Sequence, residues 1–175
     1  MFDWKNDFNE ICNRIKSNNA AIVETDTVLG IISLNPELIY EIKKRDKNKK
    51  LITFINDINQ IKNLTEKEIN VLNKFWPGGL SIIKNNISYR MPNEKNILKL
   101  ISIVGPVFSS SANISGNEVF KNVFEAKKDF DNIKNLIFVD GKKNSSLPST
   151  IINFDTKEII REGCISGSEI IKLLK

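Results

Sequence analysis

The chain has 175 residues, of which 41% are hydrophobic, so it is long enough to form one globular domain with a substantial core. It contains no histidine, which excludes serine–histidine triads, histidine general bases and histidine metal ligands. The net charge of +5 permits an anionic ligand such as a nucleotide or RNA without requiring one. Neither a signal peptide nor a hydrophobic run of about 20 residues is present, so we expect a cytoplasmic protein with no membrane segment.

Hydrophobic periodicity predicts alternating helices and strands along the whole chain. The first helix is amphipathic and carries Cys12 on its hydrophobic face, which favours a core position for that cysteine. Further helices are predicted at 36–44, in two patterns that end near Phe75, from an Asn93 cap to residue 102, at 123–130, and after Ser166 or Ser168. Strands are predicted at 20–23, 29–34, 51–55, 79–84, 87–91, 104–108, 136–140, 150–154 and 158–161. There is no internal repeat or interdomain linker, so residues 1–175 are predicted to form a single α/β domain with a mixed sheet.

A dense set of small polar residues follows the predicted strand at 104–108. Three serines at 109–111 are followed by Ala112, Asn113, Ser115 and Gly116. Hydroxyls, a side-chain amide and a glycine suit an anionic or amide-bearing ligand that approaches the backbone closely. Such a cluster alone is usually a turn, so its interpretation depends on the other segments.

Six of the eight residues at 43–50 are basic. This segment is either a solvated basic loop or a clamp for a polyphosphate. If it is extended, Lys43 and Arg45 point to the same side. No P-loop and no G-x-G-x-x-G motif is present, so a phosphate would be held by side chains and strand-end amides.

The chain has only four arginines beside 22 lysines, and an arginine in this background is expected where a planar guanidinium is needed. Arg90 ends a predicted strand and invites a carboxylate partner, either an internal Asp or Glu or a substrate. The Thr25-Asp26-Thr27 segment is either a turn or a set of polar groups for a small substrate. Ser149 and Arg161 likewise lie at strand boundaries.

Taken in order, these segments resemble the YrdC-like family, specifically the short bacterial TsaC type of threonylcarbamoyl-AMP synthase. Residues 24–31 match the family's P-T-[DE]-T-x-Y-G-[LI] block, 43–45 its K-x-R motif, 75–81 its F-W-P-G-x-[LV]-[TS] block, 89–92 its V-R-[MV]-P strand, 111–116 its S-x-N motif, 148–151 its P-S-T-[VI] element and 161–163 its R-x-G element. The chain departs from the pattern at Glu24, Leu29, Asp46 and Phe54, where proline, an aromatic residue, proline and, in longer relatives, histidine are usual.

The resemblance implies a twisted, open mixed sheet with flanking helices around a basic concave cavity. It also implies an enzyme that joins L-threonine, bicarbonate or CO2, and ATP into threonylcarbamoyl-adenylate, which a downstream transferase complex uses to modify tRNA. By motif, the ATP-binding residues would be Lys43, Arg45, Lys49, Ser111, Asn113 and Arg161, with Lys43 and Arg45 catalytic. The threonine-binding residues would be Thr25, Thr27, Arg90, Ser109 and Ser149.

Magnesium is expected only with ATP, because the sequence shows no carboxylate cage and Asp26 is a weak candidate ligand. The segment 141–148 is expected to act as a lid. Two other functions fit the same motifs: a non-catalytic RNA- or nucleotide-binding module, with weak tRNA binding in either case, and a carbamoyl-transfer domain like that of hydrogenase-maturation proteins. The first lacks aromatic residues interleaved with its basic ones, and the second usually accompanies other domains.

Overall fold

One mixed sheet organises the chain in the computed structural model, which describes residues 1–141 and 147–175. Its ten strands in the described residues are β1 (Phe2–Asp3), β2 (Ala20–Val23), β3 (Gly30–Ser33), β4 (Ile52–Phe54), β5 (Leu80–Lys84), β6 (Ile87–Arg90), β7 (Val107–Ser111), β8 (Leu136–Asp140), β9 (Thr150–Asn153) and β10 (Glu158–Arg161). The helices there are α1 (Phe8–Lys16), α2 (Pro36–Lys43), α3 (Glu66–Phe75), α4 (Lys95–Val104), α5 (Val123–Phe130) and α6 (Gly167–Leu174), with a short 3-10 helix at Ile58–Gln60. The predicted α/β class and open mixed sheet are confirmed.

The strands lie in the order β1-β8-β2-β3-β7-β4-β6-β5-β9-β10. Antiparallel pairs join β2 to β3, β3 to β7, β7 to β4, β6 to β5 and β9 to β10, and the remaining neighbours are parallel. The predicted hairpin across Asn85 and Asn86 is present, and both residues have positive φ, 51° and 66°. That conformation suits a two-residue hairpin, because it matches the twist of the strands, and asparagine tolerates it.

Helices cover both faces of the sheet. Along β2, Ala21 and Val23 face a core shared with α1 and α4, whereas Ala20 and Ile22 face a core shared with α2 and α5. This alternation follows from the two-residue period of a strand, and both faces are apolar because both are covered. A third core cluster lies between β5, β9, α3 and α6. Cys12 is buried in the first core, as predicted.

Two predicted boundaries are wrong around residue 104. The helix α4 is capped by Glu94, not Asn93, and it continues to Val104, so the predicted strand at 104–108 begins only at Val107. Gly105, with φ 87°, ends the helix in a conformation that favours glycine. The three serines therefore belong to β7 itself, where β3 pairs with them. The two-residue strand β1 was not predicted, since it is too short to show a period.

No helix of the described ranges, 1–141 and 147–175, is long and apolar enough to cross a membrane.

A tight contact joins the turn before β5 to the segment after β10. Trp76 is buried, and its indole N–H donates to Leu80 O at 2.7 Å, which fixes the turn from inside. A Cβ added to Gly79 would lie 2.1 Å from Sγ of Cys164, far inside van der Waals contact. A side chain at position 79 would therefore force the thiol of Cys164 to move.

Gly79→Ala is expected to destabilise the fold by about 1–3 kcal/mol, because the added methyl group overlaps the thiol of Cys164. Cys164→Ala alone, at an exposed position, should change stability by less than about 0.5 kcal/mol. The double variant removes the overlap and should recover much of the loss in urea unfolding. A double variant as unstable as Gly79→Ala would contradict this packing.

Candidate functional site

A cavity of about 690 Å³ opens where the central strands meet the segments that follow β2, α2 and β7 and the segment that precedes β9. Among the described residues, four cationic side chains and one carboxylate, that of Glu118, line this cavity. The lining comprises Thr25, Thr27, Val28, Gly30, Arg45, Lys50, Ile52, Phe54, Ile83, Ser88, Arg90, Ser109, Ser110, Ser111, Glu118, Val119, Pro148, Ser149, Ile151, Ile160 and Arg161. This excess of positive charge with many hydroxyl groups suits a ligand that is anionic and rich in hydrogen-bond acceptors.

The sheet positions one wall through register. In β7, Ser109 and Ser111 are two residues apart and so share a face. Ser109 pairs with Ile52 of β4, and Ser111 pairs with Gly30 of β3. A Cβ at Gly30 would lie 3.1 Å from the Thr25 methyl group, so the small residue lets the turn after β2 approach β7. The two serine hydroxyls are thereby held on a rigid strand at the cavity wall.

Arg90 is the most constrained cation of the cavity. It is 3% exposed, and its Nη2 forms an ion pair with Asp26 at 2.6 Å. Its Nη1 donates to Thr27 Oγ1 at 2.8 Å and its Nε to Gly78 O at 3.0 Å. Burial lowers the pKa of this guanidinium, and the neighbouring Asp26 carboxylate opposes the shift. The sequence left open whether Arg90 pairs with an internal carboxylate or with a substrate, and the structure shows an internal partner, Asp26.

Those contacts leave part of the guanidinium for a ligand. Three of its five N–H hydrogens are used on described residues, which leaves one on each terminal nitrogen. The Phe54 ring lies 5.7 Å from the guanidinium carbon and forms part of the same wall. Arg90 is thus held in place and has two N–H groups that could donate to a carboxylate of a ligand.

The Thr25-Asp26-Thr27 segment is a turn whose polar groups converge. Thr25 Oγ1 donates to Val28 O at 2.7 Å and accepts from the Thr27 N–H at 3.1 Å. The two threonine hydroxyl oxygens lie 3.2 Å apart, and both residues are buried at the cavity wall. The turn and the polar-site interpretations are therefore compatible.

The late motifs form one structural unit. Arg161 donates from Nε and Nη2 to Ser149 O, at 3.1 and 2.8 Å, and from Nη2 to Ser149 Oγ at 3.2 Å. Thr150 Oγ1 accepts from the N–H groups of Gly163 and Ile165. A Cβ at Gly163 would lie 2.4 Å from Pro148 O, so the two backbones approach only because residue 163 is glycine. Burial lowers the pKa of the Arg161 guanidinium, and the charge of Arg90 contributes.

The basic segment at 43–50 is not extended at its start, unlike the conformation in which Lys43 and Arg45 would point to the same side. Lys43 is the last residue of α2, and Lys44 adopts a left-handed conformation with φ 48°. The chain therefore turns, and the side chains of Lys43 and Arg45 diverge. Arg45 lines the cavity and donates from Nε to Lys49 O at 3.0 Å and from Nη2 to Lys50 O at 3.2 Å. Lys49 is exposed and lies outside the cavity lining.

Lys43 and Asn113 lie behind the cavity wall. The Lys43 ammonium is buried and donates to Asn113 O, to Asn113 Oδ1 and to Ser111 O. Ser111 Oγ donates to Asn113 Oδ1 at 2.6 Å, so the side-chain oxygen of Asn113 accepts two hydrogen bonds within the protein.

The structure thus brings eight of the predicted residues to one cavity: Thr25, Thr27, Arg45, Arg90, Ser109, Ser111, Ser149 and Arg161. Sequence reasoning missed Lys50, Phe54 and Glu118 as lining residues. Lys50 lies within the basic segment 43–50, and Phe54 is one of the departures from the family pattern, whereas Glu118 had no signal in the sequence. The predicted lid at 141–148 falls mostly outside the described residues, although Pro148 lines the cavity.

The chain is similar in sequence to several known proteins. The family model Sua5_yciO_yrdC, described as "Telomere recombination", matches residues 13–163. The chain is 32% identical over 164 residues to protein MG259 of Mycoplasma genitalium, covering 91% of this chain and 36% of that protein. It is 32% identical over 184 residues to the threonylcarbamoyl-AMP synthase of Wigglesworthia glossinidia brevipalpis, covering 88% of this chain and 92% of that protein.

A solved structure has the same fold. The crystal structure of P. abyssi Sua5 complexed with L-threonine aligns with a TM-score of 0.84 at 25% identity, covering 95% of this chain and 57% of that one. The chain therefore spans about a third of the Mycoplasma protein and somewhat more than half of Sua5.

Asp26→Ala is expected to destabilise the protein by about 3–5 kcal/mol, because it leaves the buried Arg90 charge without its carboxylate. The matched control is Glu10→Ala, which removes the carboxylate of an exposed pair with Arg14 and should cost about 0–1 kcal/mol. Urea unfolding of both variants measures the difference. Equal losses would show that the Asp26–Arg90 pair does not hold the site together.

Proposed function

The chain belongs to the Sua5/YciO/YrdC family, and from that premise we propose that it is a threonylcarbamoyl-AMP synthase. It would join L-threonine, bicarbonate or CO2, and ATP into threonylcarbamoyl-adenylate, with release of pyrophosphate. The product would supply a transferase complex that modifies adenosine in tRNA. The observation that carries the proposal is the cavity that Arg45, Arg90 and Arg161 line together with the hydroxyl groups of threonine and serine residues.

The chemistry needs no nucleophile from the protein. The threonine amine attacks CO2 and loses a proton, which gives a carbamate. A carbamate oxygen then attacks the α-phosphorus of ATP, and the bond to the β-phosphate oxygen breaks to release pyrophosphate. A chain without histidine can support this reaction by orienting the substrates, which is worth about 7–11 kcal/mol in well-aligned cases, and by neutralising phosphate charge.

The threonine subsite is proposed at the Arg90 side of the cavity. The two guanidinium hydrogens of Arg90 that remain free of described partners would bind the threonine carboxylate as a fork. The hydroxyl groups of Thr25, Thr27, Ser109 and Ser149 would surround the amino acid. The L-threonine in the P. abyssi Sua5 crystal structure supports an amino-acid subsite in this fold.

The nucleotide subsite is proposed at the side of Arg45 and Ser111, with Arg161 facing it across the cavity. Arg45 is the proposed catalytic residue that faces the phosphates, and Lys49 is proposed to contact their outer end from the exposed part of its segment. Lys43 and Asn113 would act on the nucleotide from behind Ser111. Mg²⁺ would enter with ATP, since one lining carboxylate suits an ion held mainly by phosphates and water.

The first test is pyrophosphate release from Mg-ATP by the purified chain, with L-threonine and bicarbonate added separately and together. Release that requires both compounds supports the synthase. Release without threonine would indicate simple ATP hydrolysis, and no release from folded protein would favour the nucleotide- or RNA-binding module.

Arg45→Ala is expected to lower kcat/KM for ATP by about 100-fold or more, because a guanidinium that faces the phosphates is lost. The control is Arg14→Ala, which removes an exposed guanidinium from α1 and should leave the rate unchanged. Thermal unfolding of both variants checks the fold. Near-normal activity of Arg45→Ala would remove Arg45 from the mechanism.

A further inference from the structure

The ammonium group of Lys43 is enclosed by acceptors from one short segment. The residue is 1% exposed, and its Nζ is 2.7 Å from Asn113 O and 3.0 Å from Asn113 Oδ1, with Ser111 O as the third acceptor. An ammonium has three hydrogens, so these contacts use all of them. Lys43 is also absent from the residues that line the cavity.

The backbone of the same residue holds the next part of that segment. The N–H of Ser115 donates to Lys43 O at 2.9 Å. The Asn113 amide then donates from Nδ2 to Ile114 O at 3.0 Å and to Asn117 O at 2.7 Å. Lys43, at the end of α2, therefore holds Ser111, Asn113 and Ser115 directly, and the Asn113 side chain extends this network to Asn117.

This segment leads directly into the cavity wall. Ser111 lines the cavity at its start, and Glu118 and Val119 line it just after its end. On the other side of Lys43, Arg45 lines the cavity as well. Lys43 thus lies between two parts of the cavity wall, but neither its backbone nor its side chain lines the cavity.

We propose that Lys43 is a positioning residue that holds segment 111–117 against the end of α2, so that this segment, and not Lys43, contacts the ligand in the cavity. The identification of that ligand as ATP rests on the proposed function. The holding role itself concerns the protein without ligand and can be tested there.

Electrostatics make this contact sensitive to pH. Burial lowers the pKa of Lys43 to about 7, and the positive charge of Arg45 adds to the shift. The groups that face the ammonium from segment 111–117 are Ser111 and Asn113, both uncharged, and no carboxylate of the described residues forms an ion pair with it. The neutral amine has two hydrogens for three acceptors. The segment should therefore be held more loosely as the pH rises through about 7.

Lys43→Met tests the role in the ligand-free protein. The variant keeps the length of the side chain and removes its donors, so amide hydrogen exchange at Ala112, Ser115 and Asn117 should become about 10-fold faster. Lys128→Met, the same change at an exposed lysine of α5, should leave these rates unchanged. Unaltered exchange in folded Lys43→Met would overturn the proposal.

The wild-type protein gives a second test that does not depend on the variant folding. The backbone amide resonances of Ser111 and Asn113 should shift together with a midpoint near pH 7, and the protection of segment 111–117 should fall above that midpoint. Protection of segment 111–117 that stays unchanged while these resonances titrate would contradict the holding role, because the neutral amine lacks one of the three hydrogens. Both experiments omit ATP and threonine, so their outcome is independent of whether the chain releases pyrophosphate.

Discussion

A guanidinium keeps its charge when it is buried, so Arg90 constrains everything that surrounds it. Its three partners come from two places: Asp26 and Thr27 lie after β2, and the carbonyl of Gly78 lies before β5. Because β2 and β5 are distant in the sheet, this one side chain ties two separate parts of the chain to the end of β6. The same contacts leave two guanidinium N–H groups of Arg90 without a partner among the described residues, and they hold those groups in a fixed orientation. The stability of this region and the proposed recognition of a carboxylate thus depend on the same pair of residues, Arg90 and Asp26.

Much of the site follows from sequence because its residues belong to short motifs at strand ends. Thr25, Arg90 and Arg161 could each be selected from residue type and position, and the family order brought them together before any contact was known. The helices and strands were predicted well where a period was long enough to see, as at Val123–Phe130 and Leu136–Asp140. Such segments are specified by local hydrophobic alternation, which tertiary contacts reinforce.

The remaining features depend on contacts that a linear pattern does not contain. A single left-handed residue, Lys44, sends Lys43 and Arg45 to different surroundings, and no period predicts that change. The serines of β7 look like a loop in sequence, yet pairing with β3 makes them strand. The internal partner of Arg90 could not be assigned either, since a substrate and Asp26 offer the same carboxylate chemistry.

The short strand β4 limits where residues can be inserted into this chain. It is three residues long, and it alone separates the five strands on one side of the described sheet from the four on the other. Ile52 and Phe54 line the large cavity, whereas Thr53 lines a hollow of about 170 Å³ elsewhere on the surface. One residue inserted between Lys50 and Ile52 would exchange these faces, place Thr53 in the cavity and move Phe54 away from Arg90. An insertion in a turn between outer strands would leave the register of β4 unchanged, so the register argument restricts changes in length most strongly at the centre of the sheet.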